Sequence, residues 1–152
     1  MTKPQSIKPH HLLDIIRDIG SGREHKPHPL GHNVHGIAAL VRSDPSASFT
    51  LTTGPDSICA PCSRLHGEVC GDTTDTVGFL TSKDWYNRTL DRRLLKRLEL
   101  REGDSISVTK FCQVVEEKLG DIFSIYLEAD RGQTLKRREN IFLGLEILLT
   151  AT

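Results

Sequence analysis

Leu12, Leu13, Ile16 and Ile19 recur at helical spacing and predict a helix over residues 10–19, with Pro9 at its first position and Gly20-Ser21-Gly22 as its stop. A loop rich in proline and histidine follows. Leu30, Val34, Ile37, Ala38 and Val41 then form one apolar stripe, which predicts a second helix over 30–42. Polar and apolar residues alternate over 48–52, with Phe49 and Leu51 on one side, as in a short strand. That strand is expected to pair in parallel with one near Ile7, the two helices forming the crossover. Residues 53–75 lack periodicity and read as a loop. Leu90, Leu94, Leu95 and Leu98 predict a helix over 84–98, and residues 101–104 turn the chain. Ser105 or Ser107 can cap the next helix, whose stripe is Val108, Phe111, Cys112, Val115 and Leu119. A final helix is expected over 135–149. The fold class is therefore α+β, mainly α: a small helical domain with a short two-stranded sheet and a cysteine-rich metal loop. No repeat or linker divides it, so residues 1–152 read as one domain.

Charge changes the picture by exclusion. Twenty basic and twenty acidic residues leave no formal net charge, which argues against a nucleic acid or an acidic membrane surface as the main partner. Residues 141–149, the most apolar stretch, are interrupted by Glu146 and are too short to span a bilayer. No leader-like apolar run opens the chain, so the expected location is the cytoplasm.

The cysteines are unevenly placed. Cys59, Cys62 and Cys70 fall within the twelve residues CAPCSRLHGEVC. A C-x-x-C pair on a tight turn lets two thiolates converge on one metal, and Cys70 returns after a seven-residue excursion. Thiolates favour zinc, copper(I) or iron–sulfur clusters. An odd local count in a cytosolic chain disfavours disulfides. A fourth ligand is needed. His66 would complete a Cys3His zinc knuckle that merely staples the loop. Cys112 lies in an apolar stripe and reads as core. His10 and His11 open the first helix, with Asp14 beside both at i+4 and i+3.

Several strings together resemble one family. They are Lys8-Pro9-His10-His11-Leu12-Leu13, then Asn33-Val34 with Ile37, then Gly54-Pro55-Asp56-Ser57-Ile58-Cys59-Ala60-Pro61-Cys62 with Cys70. Leu90-Asp91-Arg92-Arg93-Leu94-Leu95 through Leu98-Glu99-Leu100 completes the set. The family is the small bacterial and archaeal domain of unknown function 1284, and the resemblance covers about residues 6–120. It implies iron–sulfur binding. Family members often carry cysteine directly after the PHHLL string, where this chain has Asp14. By that resemblance Asp14 supplies an oxygen ligand, or one iron is left open. Residues 73–84 fall outside the resemblance, and 121–152 read as a C-terminal helical extension.

Other patterns are weaker. His66-Gly67-Glu68 with Pro61-Cys62 reverses the order of the zinc deaminase motif. Gly20-Ser21-Gly22 lacks the third glycine of a dinucleotide fingerprint. His25, His28, His32 and His35 resemble a metal tract, but the apolar stripe leaves His32 and His35 on the solvated side. Arg88, Arg92, Arg93, Lys96 and Arg97 give a faint helix-turn-helix outline with interleaved acids.

The expected function is metal binding, with an iron–sulfur cluster of the 4Fe-4S type on Cys59, Cys62 and Cys70, completed by His11 or Asp14 of the first helix. Such a centre serves electron transfer or Lewis-acid chemistry at an open iron. His10 and His11 are the candidate general acids or bases beside it, acting on an unidentified redox partner or small-molecule substrate. A structural zinc module is the alternative, and a nucleic-acid-binding regulator a third.

Overall fold

A computed structural model describes residues 5–75 and 80–150. In chain order the elements are β1 (Gln5–Ile7), α1 (Pro9–Ser21), α2 (Val34–Ser43), β2 (Ser48–Leu51), β3 (Leu65–His66), β4 (Val69–Cys70), β5 (Thr73–Thr74), β6 (Thr81–Ser82), α3 (Lys83–Leu98), β7 (Ser105–Ser107), α4 (Val108–Lys118) and α5 (Arg131–Thr150). The protein is α+β and mainly α, as its periodicity predicts.

β1 and β2 pair in parallel, Ile7 facing Leu51. The expected two-stranded sheet has a third strand, however. β7 runs antiparallel to β2 and sets Ile106 against Phe49. Three residues are too few for alternation to register in the sequence. Ser107 still caps α4, its hydroxyl accepting from Lys110 N–H at 3.1 Å. The loop after β2 also holds more pairing than expected, since β3 and β4 form a hairpin and β5 pairs with β6.

α2 begins at Val34 rather than at residue 30. Gly31 adopts a φ of 82°, which a helix does not permit, and the preceding chain instead packs along the cysteine loop. Asn33 N–H donates to Ile58 O, and Ser63 N–H to Leu30 O. α5 starts earlier than its apolar stripe, because the Asp130 carboxylate accepts from Gln133 N–H at 2.9 Å and caps the helix.

α1 is the central element. Leu12, Leu13, Ile15, Ile16 and Ile19 are all buried, each contributing about 1.5–3 kcal/mol by burial. Its closest neighbour is α5. Gly20 and Gly144 allow the two backbones to touch: a Cβ at Gly20 would overlap the Asn140 carbonyl oxygen, and one at Gly144 the Ile16 carbonyl oxygen. Cys112 is fully buried in this core, and burial pushes its thiol up to about 12.

Candidate metal centre at the first turn of the central helix

The N-terminus of α1 exposes N–H groups that no preceding helical turn satisfies. Lys8, in the N-cap position, makes no side-chain cap bond. The acceptors come instead from far along the chain. Asp56 Oδ2 accepts from Lys8 N–H at 2.7 Å, and Asp91 Oδ1 from His10 N–H at 2.8 Å. Carboxylates at this end also favour the helix dipole. Both are buried, so the fold has placed two carboxyl groups under the first turn.

Each carboxylate also engages a histidine. His10 Nδ1 lies 2.9 Å from Asp91 Oδ1, and His11 Nδ1 lies 2.7 Å from Asp56 Oδ2. His10 is buried. Burial alone would depress its pKa, but the charge and hydrogen bond of Asp91 outweigh it, and the net shift is upward from 6.5. Asp56 is held well below the usual carboxylate range. Burial opposes this, while His11 and the backbone donors Lys8 and Cys59 drive it.

Asp56 has a further role. Its Oδ1 accepts from Ile58 N–H and Cys59 N–H, each at 3.0 Å. An ionised carboxylate offers about four lone-pair sites, and four donors now fill them. Among the described residues, His11, Asp56 and Cys59 form the group whose ligand atoms lie within 4.8 Å of one another. Yet Asp56 has no lone pair left for a metal. It is better understood as the pin that fixes His11 and Cys59. Being ionised, Asp56 accepts only, so His11 Nδ1 carries a proton toward it and Nε2 is the ring nitrogen left to face a ligand.

Cys59, Cys62 and Cys70 line one cavity of about 20 Å³ with Lys8, Pro55, Leu65 and Asp84. The Cys59–Cys62 turn brings Cys62 N–H to Cys59 O at 2.8 Å. The β3–β4 hairpin returns Cys70, whose N–H donates to Asp84 Oδ1 at 3.0 Å. The same cysteines border a larger cleft of about 740 Å³, shared with His10, His11 and Asp14. Burial, then the charge of Asp56, pushes the Cys59 thiol up to about 11. At neutral pH it therefore stays protonated until a cation displaces the proton.

The stretch 30–125, more than half of the chain, matches the family described as protein of unknown function (DUF1284). The chain belongs to this family. Its C-x-x-C, Cys70 and Asp56 lie inside the matched stretch of the DUF1284 chain, whereas His10 and His11 precede it. No curated protein and no solved structure matches. The four cysteines and the His11–Asp56–Cys59 group are compatible with metal binding, and no helix of the described residues is long and apolar enough to cross a membrane.

Three sequence expectations meet different surroundings in the fold. Asp14 borders the cleft but is claimed by Arg17 and Arg137, and these guanidinia, working against its burial, hold its carboxyl below the usual range. His66 is exposed on β3 and borders neither cavity. His32 and His35 are half-buried rather than solvated, each with an Nδ1 that has no partner among the described residues. The later start of α2 turns them inward, and His28 stacks on His32 at 4.2 Å. On the basic helix α3, Arg88 pairs with Asp84, Arg93 with Glu128, and Arg97 binds the Leu119 and Asp121 carbonyls.

Asp56, Asp91 and Lys8 were not assigned roles by the sequence reading. For Asp56 a signal existed: an aspartate that bonds the N–H groups two and three residues on is the pattern of an Asx turn. Asp91 carries no such signal, because its partner is 81 residues away.

Proposed function

We propose that this DUF1284 protein is a metal-binding protein that holds an iron–sulfur cluster on Cys59, Cys62 and Cys70, with His11 Nε2 as the residue of α1 that completes the set. The observation that supports this reading is that three thiols from a turn and a hairpin line one small cavity and border, together with the Asp56-oriented His11, the larger cleft. A carboxylate that fixes the tautomer of a ligating histidine is a recurrent outer partner at metal sites. The donor set fits the group in a further respect. Lys8 is 2% exposed and borders the cysteine cavity without an ion pair among the described residues, a counter-charge suited to an anionic cluster–thiolate assembly.

When bound, the cluster supplies electron transfer or Lewis acidity at an iron with an open position. The protein's own part is to hold three thiolates, orient His11 and leave the cysteines facing the large cleft. Asp14, tied to two arginines, is better placed to position Arg137 than to ligate. His10, locked on Asp91, holds the turn, and His11 is the stronger candidate for proton transfer where it is not a ligand.

Zinc is the second reading, because a cavity of about 20 Å³ is the size of a single-ion site. Iron, acid-labile sulfide and zinc measured on anaerobically purified protein separate the two. Iron with equimolar sulfide and broad visible absorption supports the cluster; a colourless protein with one zinc per chain sinks it in favour of the structural site.

A further inference from the structure

The chain as a whole carries no net charge, but its large cleft does. Eight lysines and arginines border it against four carboxylates, with five histidines besides. Three of the four carboxylates are already paired with a lysine or arginine: Asp14 with Arg17 and Arg137, Asp18 with Arg17, and Asp72 with Lys83. Lys8, Arg23, Lys26, Arg64 and Lys136, by contrast, make no ion pair among the described residues. A concave, partly buried surface focuses such an excess and raises the local concentration of anions. A second observation points the same way. Tyr126 is 4% exposed and borders the cleft, yet its hydroxyl has no partner among the described residues. A buried hydroxyl left unpaired costs about 1–3 kcal/mol, a cost that a ligand acceptor would remove.

We infer that the cleft is a binding site for a small organic anion bearing carboxylate or phosphate groups, held by Arg23, Lys26, Arg64 and Lys136 and by the Tyr126 hydroxyl, with Lys8 left to the cysteine cavity. At about 740 Å³ it falls within the range of small-molecule sites. The inference deepens the metal-centre reading by naming the substrate class of that site, and rests on it only for what the bound anion would face.

The test titrates the full-length, anaerobically purified protein with inorganic phosphate and, separately, with malonate, following the melting temperature at constant ionic strength. A saturable rise beyond that given by sodium chloride is expected for at least one of them. Response to phosphate alone identifies a phosphoryl ligand, and response to malonate alone a carboxylate. The exposed double variant Arg64→Glu/Lys136→Glu should weaken binding about tenfold or more. Tyr126→Phe should leave the anion-free protein as stable or more so, yet bind the anion more weakly. If neither anion exceeds sodium chloride, or the double reversal leaves affinity unchanged, the inference is wrong. Metal content measured on the same samples decides the metal-centre reading separately.

Discussion

Toward its C-terminal end α1 meets α5 through Gly20 and Gly144, backbone against backbone, with nothing titratable needed in the contact. At its first turn the same helix rests on Asp56 and Asp91, two buried carboxylates brought from other elements. The first contact is a packing solution, and it tolerates no added atom. The second is an electrostatic one, and each of its parts has a polarity that a ligand or a proton can exploit. Buried ionisable groups are costly unless paired, so their concentration at one end of one helix makes that end the candidate functional one.

The comparison predicts different failures at the two ends. The largest is at the packed end. Gly144→Val drives a side chain into the Ile16 carbonyl, where only backbone can yield, and should cost more than about 3 kcal/mol. Denaturant unfolding would register it as global loss of structure, with metal lost only alongside the fold. A variant with near-parental stability would show that the helices are not in backbone contact.

Asp56→Ala comes next. It strands four donors at once and should cost about 2–4 kcal/mol. Metal affinity should fall by a further factor of about 10–100, because His11 loses the partner that orients it. Asp91→Ala should destabilise comparably but keep metal affinity in the fraction that folds. Equal metal loss in both variants would erase the distinction drawn between the two histidines.

A smaller effect distinguishes the histidines by pH. Because the His10 pKa is raised in the folded protein, its contribution is fully present below the ordinary value of 6.5 and fades as pH rises through the raised value. Asp91→Asn should remove about 1–2 kcal/mol near pH 5.5 and progressively less at alkaline pH. The Asp56 contribution runs the other way: present above the ordinary 3.8 and lost as pH falls toward its depressed value. A parental stability curve without an alkaline decline that Asp91→Asn abolishes would refute the His10–Asp91 assignment.

The smallest change in stability belongs to His11→Ala, about 1 kcal/mol or less at a part-exposed site. Its metal affinity should nevertheless drop about 10–100-fold, whereas His35→Ala, outside both cavities, should bind metal as the parent does. Identical metal binding in the two variants would return the fourth ligand to an open question.

Much of the fold is legible in the pattern of apolar residues, because α1, α3 and α4 bury regular stripes such as Leu90, Leu94 and Leu98. β7 escaped because three residues show no period, and the start of α2 was misplaced because one glycine, Gly31, overrides the stripe before it. Of the candidate site, the cysteines are legible by spacing and His11 by its pairing with His10 at the start of the first helix. Asp91 was not, since a carboxylate on the buried face of α3 looks like any other helical polar residue until α1 is laid across it. Lys8 was equally hidden: its burial follows from the convergence of β1, α1 and the cysteine loop, not from its neighbours in sequence.

The central claim is that the loop cysteines, and not the buried Cys112, hold the metal. Elemental analysis of anaerobically purified parent, Cys62→Ser and Cys112→Ala proteins tests it most directly. The account predicts stoichiometric metal in the parent and in Cys112→Ala, and little or none in Cys62→Ser despite a parental circular dichroism spectrum. Metal retained in Cys62→Ser, or lost from a folded Cys112→Ala, would contradict it.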